Sequence, residues 1–188
     1  MSKTIIVDIG HADRTGASGN GLEEHAVNVE VGKHLVARLK AAGLKVVRLD
    51  FPHEDNTTDL VKTVREANRV DAVLGISLHS DSAESAKARG GHAEYNKGSV
   101  RGKRLATCVG KRIAALLPGR AEVVRSRPNA TQGSLMVLRE TRAPWVLVEG
   151  GFISNSEDAR VMRAEPERLA EAYCAGILDY LQEEETLS

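Results

Sequence analysis

The stretch "TIIVDIGHAD" packs Ile5, Ile6, Val7 and Ile9 around a single Asp8, stops at Gly10 and releases His11 into a loop. Two further apolar runs end in the same way: "AVLGISL" is followed by His79, and "WVLV" by Glu149. A run that is apolar at successive positions has no polar face to give to water, so as a strand it must be covered on both sides. A parallel sheet sandwiched between helices meets that demand, and in such sheets ligands collect beyond the carboxyl ends of the strands. His11, His79 and Glu149 all fall at such ends, which makes them candidates for one shared site.

The intervening segments supply the helices. Residues 24–42 carry Val27, Val31, Leu35 and Leu39 at helical spacing, with Gly43 placed to end the helix. "LKVVRL" reads as the next strand, and Thr57, Thr58 and Asp59 as the start of a helix over "LVKTVREAN". Beyond His79, "SDSAESAKARGG" reads as a polar loop, "HAEYN" as a short edge strand, and Ser99 as the N-cap of a helix that Pro118 and Gly119 stop after Leu117. "AEVVRS" and "SLMVL" read as weaker strands. "SNSEDARVM" and "PERLAEAYCAGILDYLQ" read as closing helices, the second with Pro166 in its first turn. The expectation is a single-domain α/β three-layer sandwich with a mostly parallel twisted sheet and helices on both faces. It spans residues 1–182, followed by a frayed acidic tail over 183–188. A chain of 188 residues, 41% of them hydrophobic, has enough apolar mass for one such core.

Several classes of partner drop out. Lys plus Arg and Asp plus Glu both number 26, so there is no electrostatic case for nucleic acid or an anionic membrane surface. No apolar run approaches the roughly 18 residues of a membrane-spanning helix. The first residues carry one lysine and a run broken early by Asp8, unlike a signal peptide, so synthesis in the cytosol without an N-terminal export signal is expected. Cys108 and Cys174 lie in helical stretches and read as small buried hydrophobes.

The loop after His11, "ADRTGASGNG", gives way to a helix at "LEEHAVN", and a carboxylate in that first turn can point back over the sheet edge toward His11. Two imidazoles and one carboxylate from separated segments fit a catalytic zinc site, in which a fourth position stays open for water. Spacing does not choose between Glu23 and Glu24. An imidazole at a strand end is also commonly a capped or solvent-facing group. Glu149, with no adjacent cation in sequence, serves as well for a buried structural carboxylate as for a reactive one. The other histidines fit less well: His25 sits about 100° around the helix from Glu24 and His34 about 80°, while His53 and His92 fall in polar loop or edge contexts. Ser77 and Ser80 are too near His79 in sequence to be nucleophiles for it, and no GxSxG elbow occurs. "GASGNGLEE" lacks the lysine of a phosphate-binding loop.

Taken together, "VDIGHAD", "GNGLEEHAVN", "SLHSD" and "LMVLRETRAPWVLVEGGFISNSEDA" resemble the zinc-dependent N-acetylmuramoyl-L-alanine amidases of the type 3 group, in that family's order and over nearly the whole chain. The resemblance implies that His11, Glu24 and His79 are ligands of Zn2+, with Glu24 taken over Glu23, and that Glu149 is the catalytic carboxylate. The chain departs from the family at Ala12-Asp13, commonly Gly-Gly, at Ser80-Asp81, commonly Ala-Asn, and at Gly150, commonly Leu. None of these is an implied ligand, but Asp13 and Asp81 bear on the shell around the site. The short link from His79 to "HAEYN" has no room for the inhibitory helical insertion of the regulated cell-division members, so the chain is more similar to a phage or prophage lysin.

The implied reaction is hydrolysis of the amide joining the lactyl group of N-acetylmuramic acid to L-alanine, with the peptidoglycan stem peptide as partner. Two alternatives share much of this pattern: a zinc peptidase cutting within the stem peptide, and a non-catalytic peptidoglycan-binding domain. The latter would be expected to lack one of the four residues. Action on the cell wall then calls for phage-type release or a leader outside this sequence. An aromatic content of 3% argues against a stacking platform for long glycans and places affinity on the peptide side.

Overall fold

Apolar strands alternate with amphipathic helices along the chain, and a computed structural model describes the result for residues 2–127 and 135–187. In chain order the elements are β1 (Thr4–Ile9), β2 (Ser18–Gly19), β3 (Leu22–Glu23), α1 (Glu24–Ala41), β4 (Lys45–Leu49), α2 (Asn56–Ala67), β5 (Leu74–Asp81) and β6 (His92–Asn96). They continue with α3 (Val100–Leu116), β7 (Val124–Arg127), α4 (Met136–Glu140), β8 (Trp145–Phe152), α5 (Ser156–Ala164) and α6 (Pro166–Thr186). Among the described residues six strands form one sheet in the order β4-β1-β5-β8-β6-β7, parallel throughout except where β6 runs against β8. The α/β sandwich is as expected. β2 and β3 make a separate small hairpin in the loop that leads into α1.

The two faces of the sheet are covered unequally. Ile5, Val7, Ile9, Leu74, Ile76, Leu78, Val146 and Val148 point to one side and form a large core with α1, α3 and α6. Each aliphatic side chain fully buried there stabilises by about 1.5–3 kcal/mol. The opposite side holds a smaller core of Ile6, Leu49, Trp145 and Leu147, capped by Ala67 of α2 and by Val137 and Leu138 of α4. On this thinner side sits Asp8, whose burial the sequence left unexplained. Ser77 Oγ donates to its Oδ2 at 2.6 Å, Thr63 Oγ1 donates to its Oδ1 at 3.0 Å, and Trp145 Nε1 donates in turn to Ser77 Oγ at 2.8 Å. Asp8 is thus satisfied by neutral donors, as a buried carboxylate must be.

Helix boundaries follow their chemistry. Ser99 Oγ caps α3 by accepting from Gly102 N, Pro166 opens α6, and Gly43 follows α1 in a left-handed conformation at φ 82°. The cap of α2 is Asp55, whose carboxylate accepts from the backbone N–H of Thr57 and Thr58, so the helix begins at Asn56, ahead of the expected Thr57.

Three expectations need correction. "HAEYN" is not an edge strand: β6 is paired on both sides, by β8 and β7, and β7 takes the edge. Within "SLMVL", Met136–Leu138 belong to the short helix α4 rather than a strand, and Ser134 lies outside the described residues. Periodicity cannot separate a helical turn from a strand in so short an apolar run. The acidic end is not frayed from residue 183, because α6 continues to Thr186, with Glu184 paired to Arg101 and Arg104 and Glu185 to Lys3. Those cations come from distant segments, which local composition does not reveal.

Candidate metal centre

The loop leaving β1 turns sharply at His11, which holds a left-handed φ of 66°, uncommon outside glycine although histidine, like asparagine and aspartate, adopts it more readily than most. Such strain is retained where surrounding contacts fix it, commonly at functional sites. Two glycines make the space. A Cβ on Gly10 would lie 2.4 Å from the His79 ring, and one on Gly16 would lie 2.7 Å from Glu24 Oε2 and 2.8 Å from His11 Cδ2. Asn28 of α1 ties the loop down by donating to Gly10 O at 3.2 Å.

Glu24 is the first residue of α1 and is buried, whereas Glu23 in β3 faces solvent. Its carboxylate is fixed by two main-chain donors, Ala17 N to Oε2 at 2.7 Å and Ser80 N to Oε1 at 2.9 Å. Oε1 also lies 3.3 Å from His11 Nε2 and 3.2 Å from His79 Nδ1. The three side chains offer one ligand atom each, all within 4.8 Å of one another. Burial opposes ionisation of Glu24, but hydrogen bonds from His11 and His79 outweigh it and hold the pKa well below the ordinary carboxylate range. His11 is likewise opposed by burial, yet contact with Glu24 and Asn56 raises its pKa.

Glu149 is the register partner of His79 across β5 and β8 and lines the same cleft, of about 290 Å³. Its Oε2 is buried without a hydrogen-bond partner among the described residues. Burial, reinforced by the negative charges of Glu24, Asp81 and Glu94, pushes its pKa well above 4.5. All four residues singled out in the sequence therefore meet in one cleft, three of them as a donor cluster and the fourth beside it. His25 and His34 stand apart: His25 bridges Asp13 and Asp50 at 3.0 and 3.2 Å, and His34 pairs with Glu30.

The cleft also contains residues that sequence reasoning missed. Asn56 Oδ1 lies 3.1 Å from His11 Nδ1. Asp59 lines the wall near Asp8, its pKa pushed up to about 6 by burial and by Asp8. Glu94 of β6 and Arg127 of β7 line the cleft too and pair with each other, while His92, read as an edge residue, is buried outside the lining with Nε2 2.9 Å from Glu94 Oε1. Of the departures from the amidase pattern, Asp13 holds His25, Asp81 pairs with Arg120, and Gly150 leaves the space that the Tyr173 hydroxyl occupies, 2.3 Å from where a Cβ would stand.

The fold and this donor set define a parallel α/β domain with a His-Glu-His candidate metal centre at the carboxyl ends of its strands. Residues 5–179 match the family described as N-acetylmuramoyl-L-alanine amidase, and the chain belongs to that family. It is 30% identical over 185 residues to the N-acetylmuramoyl-L-alanine amidase LytC of Bacillus subtilis, covering 96% of this chain and 36% of LytC. It thus spans about a third of that relative's length. It is 27% identical to an endolysin of Bacillus phage SPP1, covering 96% of this chain and 67% of the endolysin. Among solved structures it is similar to the N-acetylmuramoyl-L-alanine amidase AmiC2 of Nostoc punctiforme, at a TM-score of 0.80 and 29% identity, covering 96% of this chain and 97% of that one. Among the described residues no helix is long and apolar enough to cross a membrane.

Proposed function

We propose that this chain hydrolyses the amide bond between the lactyl group of N-acetylmuramic acid and L-alanine in peptidoglycan, with Zn2+ held by His11, Glu24 and His79 and with Glu149 as the proton-transferring carboxylate. The observation that carries this reading is the donor cluster with a carboxylate beside it whose buried Oε2 has no hydrogen-bond partner among the described residues. Donors about 2.0–2.2 Å from a tetrahedral Zn2+ stand roughly 3.3 Å from one another. The spacings from Glu24 Oε1 to His11 Nε2 and His79 Nδ1, 3.3 and 3.2 Å, suit that set. A zinc ion there supplies Lewis acidity, of the kind that brings the pKa of water to about 7.

The chain's own groups do the rest. With zinc bound, Asn56 Oδ1, 3.1 Å from His11 Nδ1, would accept from Nδ1–H and leave the Nε2 lone pair of a neutral imidazole for the metal. Ala17 N and Ser80 N hold the Glu24 carboxylate so that it need not reorganise. Glu149 takes a proton from the attacking water and delivers it to the amide nitrogen as the C–N bond breaks, so alanine leaves as a neutral amine. No covalent enzyme intermediate is required. Asn56→Ala should weaken zinc affinity roughly 10–100-fold, and Asn56→Asp should restore it, as read by competition with a chromogenic chelator.

Product analysis tests the reaction itself. Purified wall digested by the zinc-loaded protein should release intact stem peptides with new alanine amino termini. Cleavage inside the stem peptide would make this a zinc peptidase instead, and binding without cleavage would make it a peptidoglycan-binding domain. A cell-wall site of action agrees with the kinship to LytC and to the phage endolysin.

A further inference from the structure

On β7, Arg127 reaches back to Glu94 of β6 through one edge of its guanidinium: Nε to Oε2 at 2.5 Å and Nη2 to Oε1 at 2.6 Å. Glu94 is buried, is also bonded by His92 Nε2, and lies 3.6 Å from Arg125 Nη1. Burial alone would raise its pKa, but His92 and Arg127 bring it down to about 2, so this carboxylate is a fixed anion that clamps the arginine. A planar guanidinium offers two bidentate edges, one at its side made by Nε and Nη2 and one at its tip made by Nη1 and Nη2. The side edge is occupied by Glu94. The far edge, Nη1 with the second hydrogen of Nη2, makes no hydrogen bond among the described residues, and Arg127 lines the same cleft as His11, His79 and Glu149. Asp81, which would compete for it, is occupied by Arg120.

We infer that the free edge of Arg127 is a carboxylate-binding subsite for the peptide side of the substrate. This rests on the amidase reading above and extends it to a substrate preference. In a muramoyl peptide the sugar is uncharged, so the anions lie beyond the scissile amide. A carboxylate docked on Arg127 therefore lays the stem peptide across β6 and β7. A preorganised fork gives a charge-assisted, two-point contact that an amide cannot reproduce. The low aromatic content of the chain fits affinity drawn from this end.

Steady-state cleavage of two muramoyl-L-alanyl-D-glutamyl substrates, both blocked as the amide at the γ-carboxyl and differing only in a free α-carboxylate against an α-carboxamide, tests the subsite. The zinc-loaded wild-type protein should favour the carboxylate by roughly 10–100-fold in kcat/KM, mainly through KM. Arg127→Lys keeps a cation on Glu94 but has no second edge, and should lose most of that preference, read as the ratio of the two kcat/KM values in the same preparation. The paired change Arg127→Met with Glu94→Gln removes both charges together and should give the same loss without an unpaired buried carboxylate. Equal cleavage of the two substrates by the wild-type protein, or an unchanged preference in either variant, overturns the subsite and leaves the amidase reading intact. Failure of the wild-type protein to release alanine-terminated peptide from either substrate overturns the amidase reading itself.

Discussion

Glu149→Gln should lower kcat/KM by about 10²–10⁴ while the protein retains one zinc ion per chain, because removing a general base abolishes proton transfer but leaves three ligands in place. Turnover on a muramoyl peptide and elemental analysis of the same preparation read the two quantities. A variant that loses its metal would make Glu149 a ligand instead. Stability gives a second, independent signal in the metal-free protein. Burial, first, and then the charges of Glu24, Asp81 and Glu94 raise the pKa of Glu149 in the folded state. The folded protein therefore binds a proton that the unfolded chain has released, and its stability declines as pH rises from about 4.5 toward the raised value. Glutamine cannot ionise, so the variant's Tm should exceed that of the parent near neutrality, and the gap should close below pH 4.5. A Tm that falls equally at both pH values would show that the side chain is structural.

His79→Ala should empty the centre, since one imidazole and one carboxylate hold zinc poorly. The expected outcome is no stoichiometric metal after dialysis against a weak chelator and no detectable amide hydrolysis. Loss of activity with full zinc content would displace His79 from the ligand set and sink the proposed centre. The residue is otherwise peripheral to the core, with its ring packed on the Gly10 backbone, so the fold should survive the change.

Much of this architecture is legible in the sequence because it rests on short-range rules. The double-faced apolar runs at residues 4–9 and 145–148 have one physical home, the middle of a parallel sheet, and they carry His11 and Glu149 to its carboxyl edge. What stays hidden depends on contacts between distant segments. Nothing local to "HAEYN" says that β7 will close over it, and nothing local to "EEETLS" says that Arg101, Arg104 and Lys3 will hold that helix end. Asn56 looks like one more residue of a helix start until the loop carrying His11 is laid against it. The choice of Glu24 over Glu23 likewise depends on the hairpin of β2 and β3, too short to be read from periodicity, which turns one acid outward and the other in.

The unequal cladding of the sheet bears on the kind of molecule this chain can work on. Among the described residues three long helices stiffen its back, whereas the front is covered by the shorter α2 and α4, whose Leu60, Thr63 and Val137 line the cleft. On the amidase reading proposed above, the scissile bond sits in a cross-linked mesh and has no free end to thread down a tunnel, so a cleft walled on this side by short helices suits such a substrate.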